Sequence, residues 1–552
     1  MIRTLAIATA LFAASAPGAA AREPSIWVQC DGQAKPEGAG TTAARVLAVT
    51  LGSGFLIGLL ALPETATGTP VAQGPDGVAA CTAALADPVL DQFWERKVNI
   101  LRSRALHYVA ADNPSAALTD LEAARKIGEG RDAPVLFERS VGVSAKLFEA
   151  VLRARQGDIE TAERLAVEAA DARPFSASIQ SASLAVLDRR PTMSADEGRI
   201  LDRRIRLDPY AFDERADRLD QSKDAGAAAD AWEIALAAEQ RLFPADKPGG
   251  ETATATRALR LAQATLAFAR AGRTERAEAT RAQLLDALKP TETPEPSAPK
   301  LTRKELDASR RNQQVAALAE RARTAAQSMM PLIDGYLLLA NGDANGAIAL
   351  LESKFVDLPR NAATLDLYMR LAKDPATAER VPPFVLAGLQ QAVYPDTATR
   401  AASIDLKQFA TRLPKFERVD GRFRYRGEGI PGFRNGSGYR SEARSDGVAG
   451  RRVMYGAPPS NFSGEEMRLL HAAETTKAAG YTHFVIDARG YWINSVASYP
   501  QIETYLDIRY VNEPDQETRA RAIAVDDVLA DLGPIYIDLP AAMAAAQAER
   551  RR

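Results

Sequence analysis

Histidine and cysteine are scarce in this chain, with 3 His and 2 Cys among 552 residues. That scarcity leaves little raw material for a closed zinc site or for a histidine-based catalytic triad. An excess of charge is missing as well. Lys and Arg number 69 against 71 Asp and Glu, a formal net charge of −2. Nothing in that balance calls for nucleic acid or an anionic surface as partner. The chain contains no G-x-S-x-G elbow, P-loop or H-E-x-x-H. What remains is an ordinary globular composition, 46% hydrophobic and 25% charged. At about 150 residues per domain, its length allows three or four domains.

The start of the chain carries an address. Arg3, an apolar run from Leu5 to Ala14, and Ala19-Ala20-Ala21 before Arg22 have the three-part layout of a cleaved secretory signal, assigned to residues 1–21. The apolar run is too short to span about 30 Å of hydrocarbon. Residues 22–86 follow as an N-terminal segment holding both cysteines, Cys30 and Cys81. An even count in an exported chain points to one disulfide, with two separate buried thiols as the alternative. Between them, Val46–Leu62 is uncharged and includes a lone G-x-x-x-G at Gly54 and Gly58. As a helix it would reach about 26 Å, just short of a bilayer, so it reads as a buried element. A membrane anchor is the alternative, in which case the cysteines would sit on opposite sides and could not pair.

Residues 87–393 read as helix pairs with a period near 34 residues. In one unit Leu101, Ala105 and Tyr108 share a face of a first helix, and Ala117, Leu121 and Ala124 share the facing side of a second, after the break at Asp112-Asn113-Pro114. Ala162, Ala169 and Pro174, after Ala154 and Gly157, repeat the second half. Phe212, Ala216, Leu219, Ala228, Trp232 and Ala235 give a clearer copy behind Leu207-Asp208-Pro209. Ala264–Leu285 is a further candidate, and so is Leu337–Pro359, with Ala347, Leu351 and Pro359 well placed. Small side chains let antiparallel helices approach, large ones fill the groove, and proline closes a unit. Spacing between units is irregular, and Arg189–Leu207 fits the pattern poorly. These offsets resemble the tetratricopeptide repeat family, which implies a helical-hairpin solenoid used for binding a protein or peptide. A generic alanine-rich helical bundle is the alternative. A linker is expected near residues 290–300, where Pro290–Pro299 is proline-rich. Arg303–Arg323 reads as a solvated charged helix face, and Pro382-Pro383 as a late break.

Past Tyr394 glycine and aromatics become frequent. Residues 394–435 read as a junction, and the G-x-G-x-x-G at Gly427, Gly429 and Gly432 lies in it. That motif has Pro431 inside it and no helical pattern after it, so it lacks the helix N-terminus a dinucleotide needs. Residues 436–540 predict a small α+β domain: strands at Gly438–Glu442 and Arg451–Tyr455 with a turn at Ser445-Asp446-Gly447, a helix capped by Ser463, and strands at Thr482–Ala488 and Glu503–Tyr510. Met467, Leu470, Ala473 and Ala478 mark one side of the helix, Gly480 ends it, and Phe484 and Ile486 share a strand face. Asp487 and Arg489 read as strand-end polar residues. Residues 541–552 form a basic tail.

Gly438-Tyr439-Arg440, the helix segment Met467–Thr476 and Gly480-Tyr481-Thr482-His483-Phe484 resemble an uncharacterised family of small proteobacterial envelope proteins, some of them lipoproteins. The resemblance implies an envelope location and brings no known activity with it. His471 stands where that family more often has Arg, and no lipidated cysteine leads the chain. His471 and Glu474 share a helix face, but an H-x-x-E pair lacks the further ligands of a zinc site, and His483 reads as a packed edge residue.

The sequence therefore predicts a mainly α chain, a TPR-like helical-hairpin solenoid followed by a small C-terminal α+β domain of antiparallel sheet with one packed helix. It predicts no catalytic, cofactor-binding or metal residues. The expected role is a non-enzymatic scaffold in the periplasm or envelope, with a protein or peptide partner and no nucleic acid. A membrane-tethered assembly factor anchored by residues 46–62, and an enzyme using the C-terminal domain around His471 and Glu474, are the other readings.

Overall fold

The computed structural model describes residues 24–36, 70–129, 134–187, 192–243, 251–289, 303–354, 358–395, 397–414, 439–455, 462–494 and 501–538. The fold is mainly helical, with one five-stranded antiparallel sheet in the C-terminal part. The expected signal sequence, Val46–Leu62, Pro290–Pro299, the glycine motif at Gly427 to Gly432 and the basic tail lie outside the described residues. Among the described residues, no helix is long and apolar enough to cross a membrane. The chain divides into two compact units, one built from residues up to Ala145 with Leu406–Thr411, the other from Lys146–Asp405 and the chain after Arg412.

The first unit begins with α1 (Ile26–Asp31), capped by Ser25 and closed by Gly32 at φ 76°. It packs on α2 (Gly74–Leu85), and Cys30 and Cys81 are joined by a disulfide with Cα atoms 4.7 Å apart. Trp27, Ala84, Leu90 and Ile100 bury themselves around that bond. Arg96 of α3 (Trp94–Ala110) pairs with the buried Asp31. His107 donates Nε2–H to the Cys30 carbonyl at 2.7 Å. Gly77 makes room for that imidazole, since a Cβ there would come within 2.3 Å of His107 Nδ1. α4 (Pro114–Gly128) turns back along α3, and Arg104 grips Asp120 through two hydrogen bonds of 2.7 Å. α5 (Pro134–Phe137) runs through a π turn at Glu138–Gly142 into α6 (Val143–Arg155), within which the second unit begins.

The second unit continues the helical pattern through α7 (Ile159–Ala172), α8 (Ala177–Val186), α9 (Ala195–Leu207), α10 (Glu214–Asp220), α11 (Ala225–Leu242), α12 (Glu251–Arg270), α13 (Thr274–Ala287), α14 (Arg303–Ala340), α15 (Ala344–Lys354), α16 (Ala362–Leu371) and α17 (Pro383–Val393). α18 (Thr397–Ser403) follows, and α19 (Leu406–Thr411) returns to the first unit.

One turn recurs at four hairpins across the two units. Between α3 and α4, α6 and α7, α12 and α13, and α14 and α15, the middle linking residue has positive φ: Asp112 at 58°, Gly157 at 85°, Gly272 at 75° and Gly342 at 82°. In each, the next N–H reaches back five residues, Asn113 to Tyr108, Asp158 to Arg153, Arg273 to Phe268 and Asp343 to Leu338, at 2.8 to 3.0 Å. Asn113, Asp158 and Asp343 then cap the second helix with their side chains. Glycine supplies the left-handed conformation at three of the four. The turns are unevenly spaced, so the helices pair as repeats without a strict 34-residue period.

The region Arg189–Leu207, which reads poorly as a repeat, contains the regular helix α9. Ser194 caps it, and Ile200, Leu201, Ile205 and Leu207 are buried among its many charges. Trp232, Phe212 and Phe268 anchor the apolar interior of the helical body. Burying one such ring is worth about 3 kcal/mol.

The C-terminal part has β1 (Tyr439–Ala443), β2 (Gly450–Tyr455), α20 (Phe462–Ala478), β3 (His483–Asn494), β4 (Gln501–Val511), α21 (Gln516–Arg521), β5 (Ile523–Ala524) and α22 (Val525–Gly533). Strand order is β1-β2-β4-β3-β5. Several sequence expectations are corrected here. α20 starts at Phe462, so Ser463 lies inside the helix and is not its cap. Ala478 is exposed beyond the packed stretch. β3 does not end at Ala488: a bulge at Ile486–Ala488 resets the register, and Arg489–Asn494 continue opposite Leu506–Gln501. Asp487 and Arg489 are therefore interior to the strand. α20 is also not the sole helix of this part, because α22 packs against it.

Candidate functional site

The most distinctive site on the helical body is a cavity of about 230 Å³. It starts from spacing on a short helix. Asp213, Asp217 and Asp220 stand four and three residues apart, which puts them on one face of α10. The facing helix α12 offers Arg260, Gln263 and Arg270. Arg260 takes Asp213 at 2.6 Å and Glu239 at 3.0 Å. Gln263 donates to Asp217 at 2.7 Å. Asp220 accepts the indole N–H of Trp232 at 2.8 Å. Arg270 is buried and donates to the carbonyls of Asp220 and Ser222 at 3.0 and 2.6 Å, closing the C-terminal end of α10. Leu266, Ala267 and Met329 supply an apolar wall, and Asn361 and Ala363 complete the lining.

The aspartates face the cavity without a cation in direct contact among these hydrogen bonds, and their acidity responds. Asp217 is pushed up to about 7, by burial first and then by the charge of Asp213, against the pull of Arg260. Asp220 is pushed up to about 8, again chiefly by burial, with Asp217 adding to it and the Trp232 hydrogen bond and Arg270 opposing it. A carboxyl taken from water and given no direct ion pair keeps its proton into the neutral range. Perturbed acids lining a concavity are a recognised mark of a functional site.

A second polar cluster lies where the helical body meets the C-terminal part, and there the charges are matched. Arg173, which follows α7, donates Nε–H to Glu466 of α20 at 2.8 Å, and Tyr536 gives its hydroxyl proton to the other oxygen of Glu466. Gln180 holds the Arg173 carbonyl at 2.9 Å. Ser176 caps α8 and also donates to Glu465 at 3.1 Å. Arg489 of β3 reaches both Glu465 and the Leu207 carbonyl at 3.5 Å. Arg241 of α11 donates to Thr518 at 2.8 Å and also pairs with Asp515 of α21. The carboxylate of Glu466 raises the Arg173 guanidinium above its ordinary value, against the opposing effect of burial.

The repeat-packing residues fall where helices meet. Leu101, Ala105, Ala117, Leu121, Ala124, Ala162, Ala169, Phe212, Ala216, Leu219, Ala228, Trp232, Ala347 and Leu351 are buried, while Tyr108, Pro174 and Pro359 are half-buried. His471 is buried with Nδ1 3.6 Å from Glu474, and His483 meets the Thr482 hydroxyl at 2.9 Å. Among the described residues, no three His, Cys, Asp or Glu side chains gather as a metal site. The sequence reading passed over Asp217 and Asp220. The available signal was the shared face of Asp213, Asp217 and Asp220, matched by Arg260, Gln263 and Arg270 along α12. Compared with protein families, with curated proteins and with solved structures, the chain shows no match.

Proposed function

We propose that this chain is an exported envelope protein whose TPR-like helical hairpins form a non-enzymatic scaffold for a protein or peptide partner. The observation that carries the reading is the single turn geometry shared by four helical hairpins, with positive φ at the middle residue and the same five-residue N–H return. Hairpins that repeat in this way stack into extended surfaces suited to binding. The Cys30–Cys81 disulfide fits an oxidising compartment, in keeping with the signal-like first 21 residues. The ionic junction around Glu466 gives the C-terminal part a fixed seat on the helices, so that both can present one composite surface. The test is envelope crosslinking and affinity capture of the tagged full-length chain, alongside cell fractionation. The reading expects the chain outside the cytosol with its cysteines oxidised, and one reproducible crosslinked protein partner. A cytosolic chain with reduced thiols, or an exported chain with no specific partner, would count against it.

A further inference from the structure

We propose that the cavity between α10, α12 and α16 binds an organic cation, an ammonium or guanidinium group on a short apolar stem, held by Asp217 and Asp220. This stands apart from the scaffold reading, since a cavity ligand and a protein partner can each be found without the other.

Four observations on the cavity select that chemistry. Its volume of about 230 Å³ lies below the roughly 300–1,000 Å³ of pockets that hold drug-sized molecules, so it suits a single amino-acid side chain or a free amino acid. Its two carboxylates are one helical turn apart and accept from Gln263 and Trp232, which leaves further lone pairs open to a donor. Its wall of Leu266, Ala267 and Met329 matches methylene groups and offers nothing to a hydrated metal ion. Finally, Arg270 lines the cavity with a buried Nε that makes no hydrogen bond, and Asp366 Oδ2 stands 3.6 Å from it. A ligand that carries a carbonyl or carboxylate oxygen beside its cation would satisfy that donor.

Charged groups on every side bear on the aspartates. Asp213 precedes their helix and Glu214 and Arg218 share it, Arg218 being held by Glu197 of α9. Arg260 and Arg270 come from α12, Arg260 being shared between Asp213 and Glu239 of α11. Asp366 and Arg370 stand on α16, with Tyr336 of α14 donating to Asp366 at 2.8 Å. The cations are thus largely engaged with other acceptors, and Asp217 and Asp220 stay protonated to near-neutral pH. A ligand cation makes ionisation favourable, so binding releases protons and tightens as pH rises.

The experiment is titration calorimetry on the full chain with L-lysine and L-arginine, with lysine capped as its N-acetyl amide, and with norleucine capped in the same way as the uncharged match. The expected result is binding of a basic probe, none of capped norleucine, proton release read from buffers of different ionisation heat, and affinity at least about tenfold higher near pH 8 than near pH 6. Binding of the free amino acids alone identifies a free metabolite as the ligand class. Binding of capped lysine as well identifies a basic side chain of a polypeptide. D217N/D220N, checked for folding by its unfolding transition, is expected to abolish binding, and D527N, in a different pocket lined by Pro174, Arg203 and Ile523, to leave it unchanged. The proposal is overturned by equal binding of capped norleucine, by pH-independent affinity, by unaltered binding to folded D217N/D220N, or by no binding of any basic probe.

Discussion

At the junction with the C-terminal part, Glu466 is withdrawn from water in the company of Arg173 and Tyr536. In the cavity of the helical body, Asp217 and Asp220 are surrounded by protein with an amide and an indole N–H as their direct donors. The same functional group therefore meets two environments in one unit. At the junction Arg173 donates to the Glu466 carboxylate at 2.8 Å, and the pair dictates how the two parts fit. In the cavity the acids escape the cost of burial by holding protons. The first arrangement is complete in itself. The second leaves acceptors toward open space, which is what separates a structural charge from a binding site.

Breaking the junction has the largest expected effect. Arg173→Ala leaves Glu466 buried without its cation and should lower unfolding free energy by about 3–5 kcal/mol, read by chemical denaturation. The paired replacement R173M/E466M should recover most of that loss, because well-packed apolar groups can replace a buried ion pair. If the double variant is no better than the single one, the loss arises from packing and the junction is not held by charge.

A covalent contrast comes next. C30S/C81S opens a loop whose ends are 51 residues apart and should cost about 4 kcal/mol, seen as a lower unfolding midpoint that reductant no longer shifts.

The cavity acids give a smaller effect with a characteristic sign. Each carboxyl is raised above its ordinary value of 3.8, so the folded chain holds protons that the unfolded chain has released. Their contribution favours folding at low pH and is lost as pH rises through the window from about 4 to about 8. D217N/D220N should flatten that slope and gain on the order of 2 kcal/mol above pH 8, a figure kept below the full shift because the cavity opens to water. Equal pH dependence in variant and parent would show that the folded chain does not raise the pKa of these carboxyls. Y536F, which removes one donor to Glu466 and leaves Arg173 in place, should cost about 1–2 kcal/mol.

How much of this is legible in the sequence differs between the two regions. The helical hairpins are readable because small residues at helix contacts and Asn, Asp or Gly at turns have local causes, and Gly342-Asp343 announces its turn outright. The strands β1 and β2 lie within a residue of where alternation and the Ser445-Asp446-Gly447 turn place them. α20 is less transparent. Its periodicity marks one apolar side, yet Glu465, Glu466 and Arg468 are buried too, with partners Ser176, Arg173, Tyr536 and Thr504 far along the chain. Charged residues on a helix read as solvated until a distant counter-charge is known. Asp217 and Asp220 are hidden for the same reason, since their surroundings come from α11, α12, α14 and α16. β5 has two residues and rests on His483 and Phe484 alone, too little for any pattern to show.

The most direct test of the comparison is a carboxyl-carbon NMR titration of the full chain, with Asp217 and Asp220 assigned through D217N and D220N. The account predicts that the pair titrates with apparent values near 7 and 8, and that a bound basic amino acid moves both downward. Titration of both near 4, unmoved by any basic probe, would contradict it.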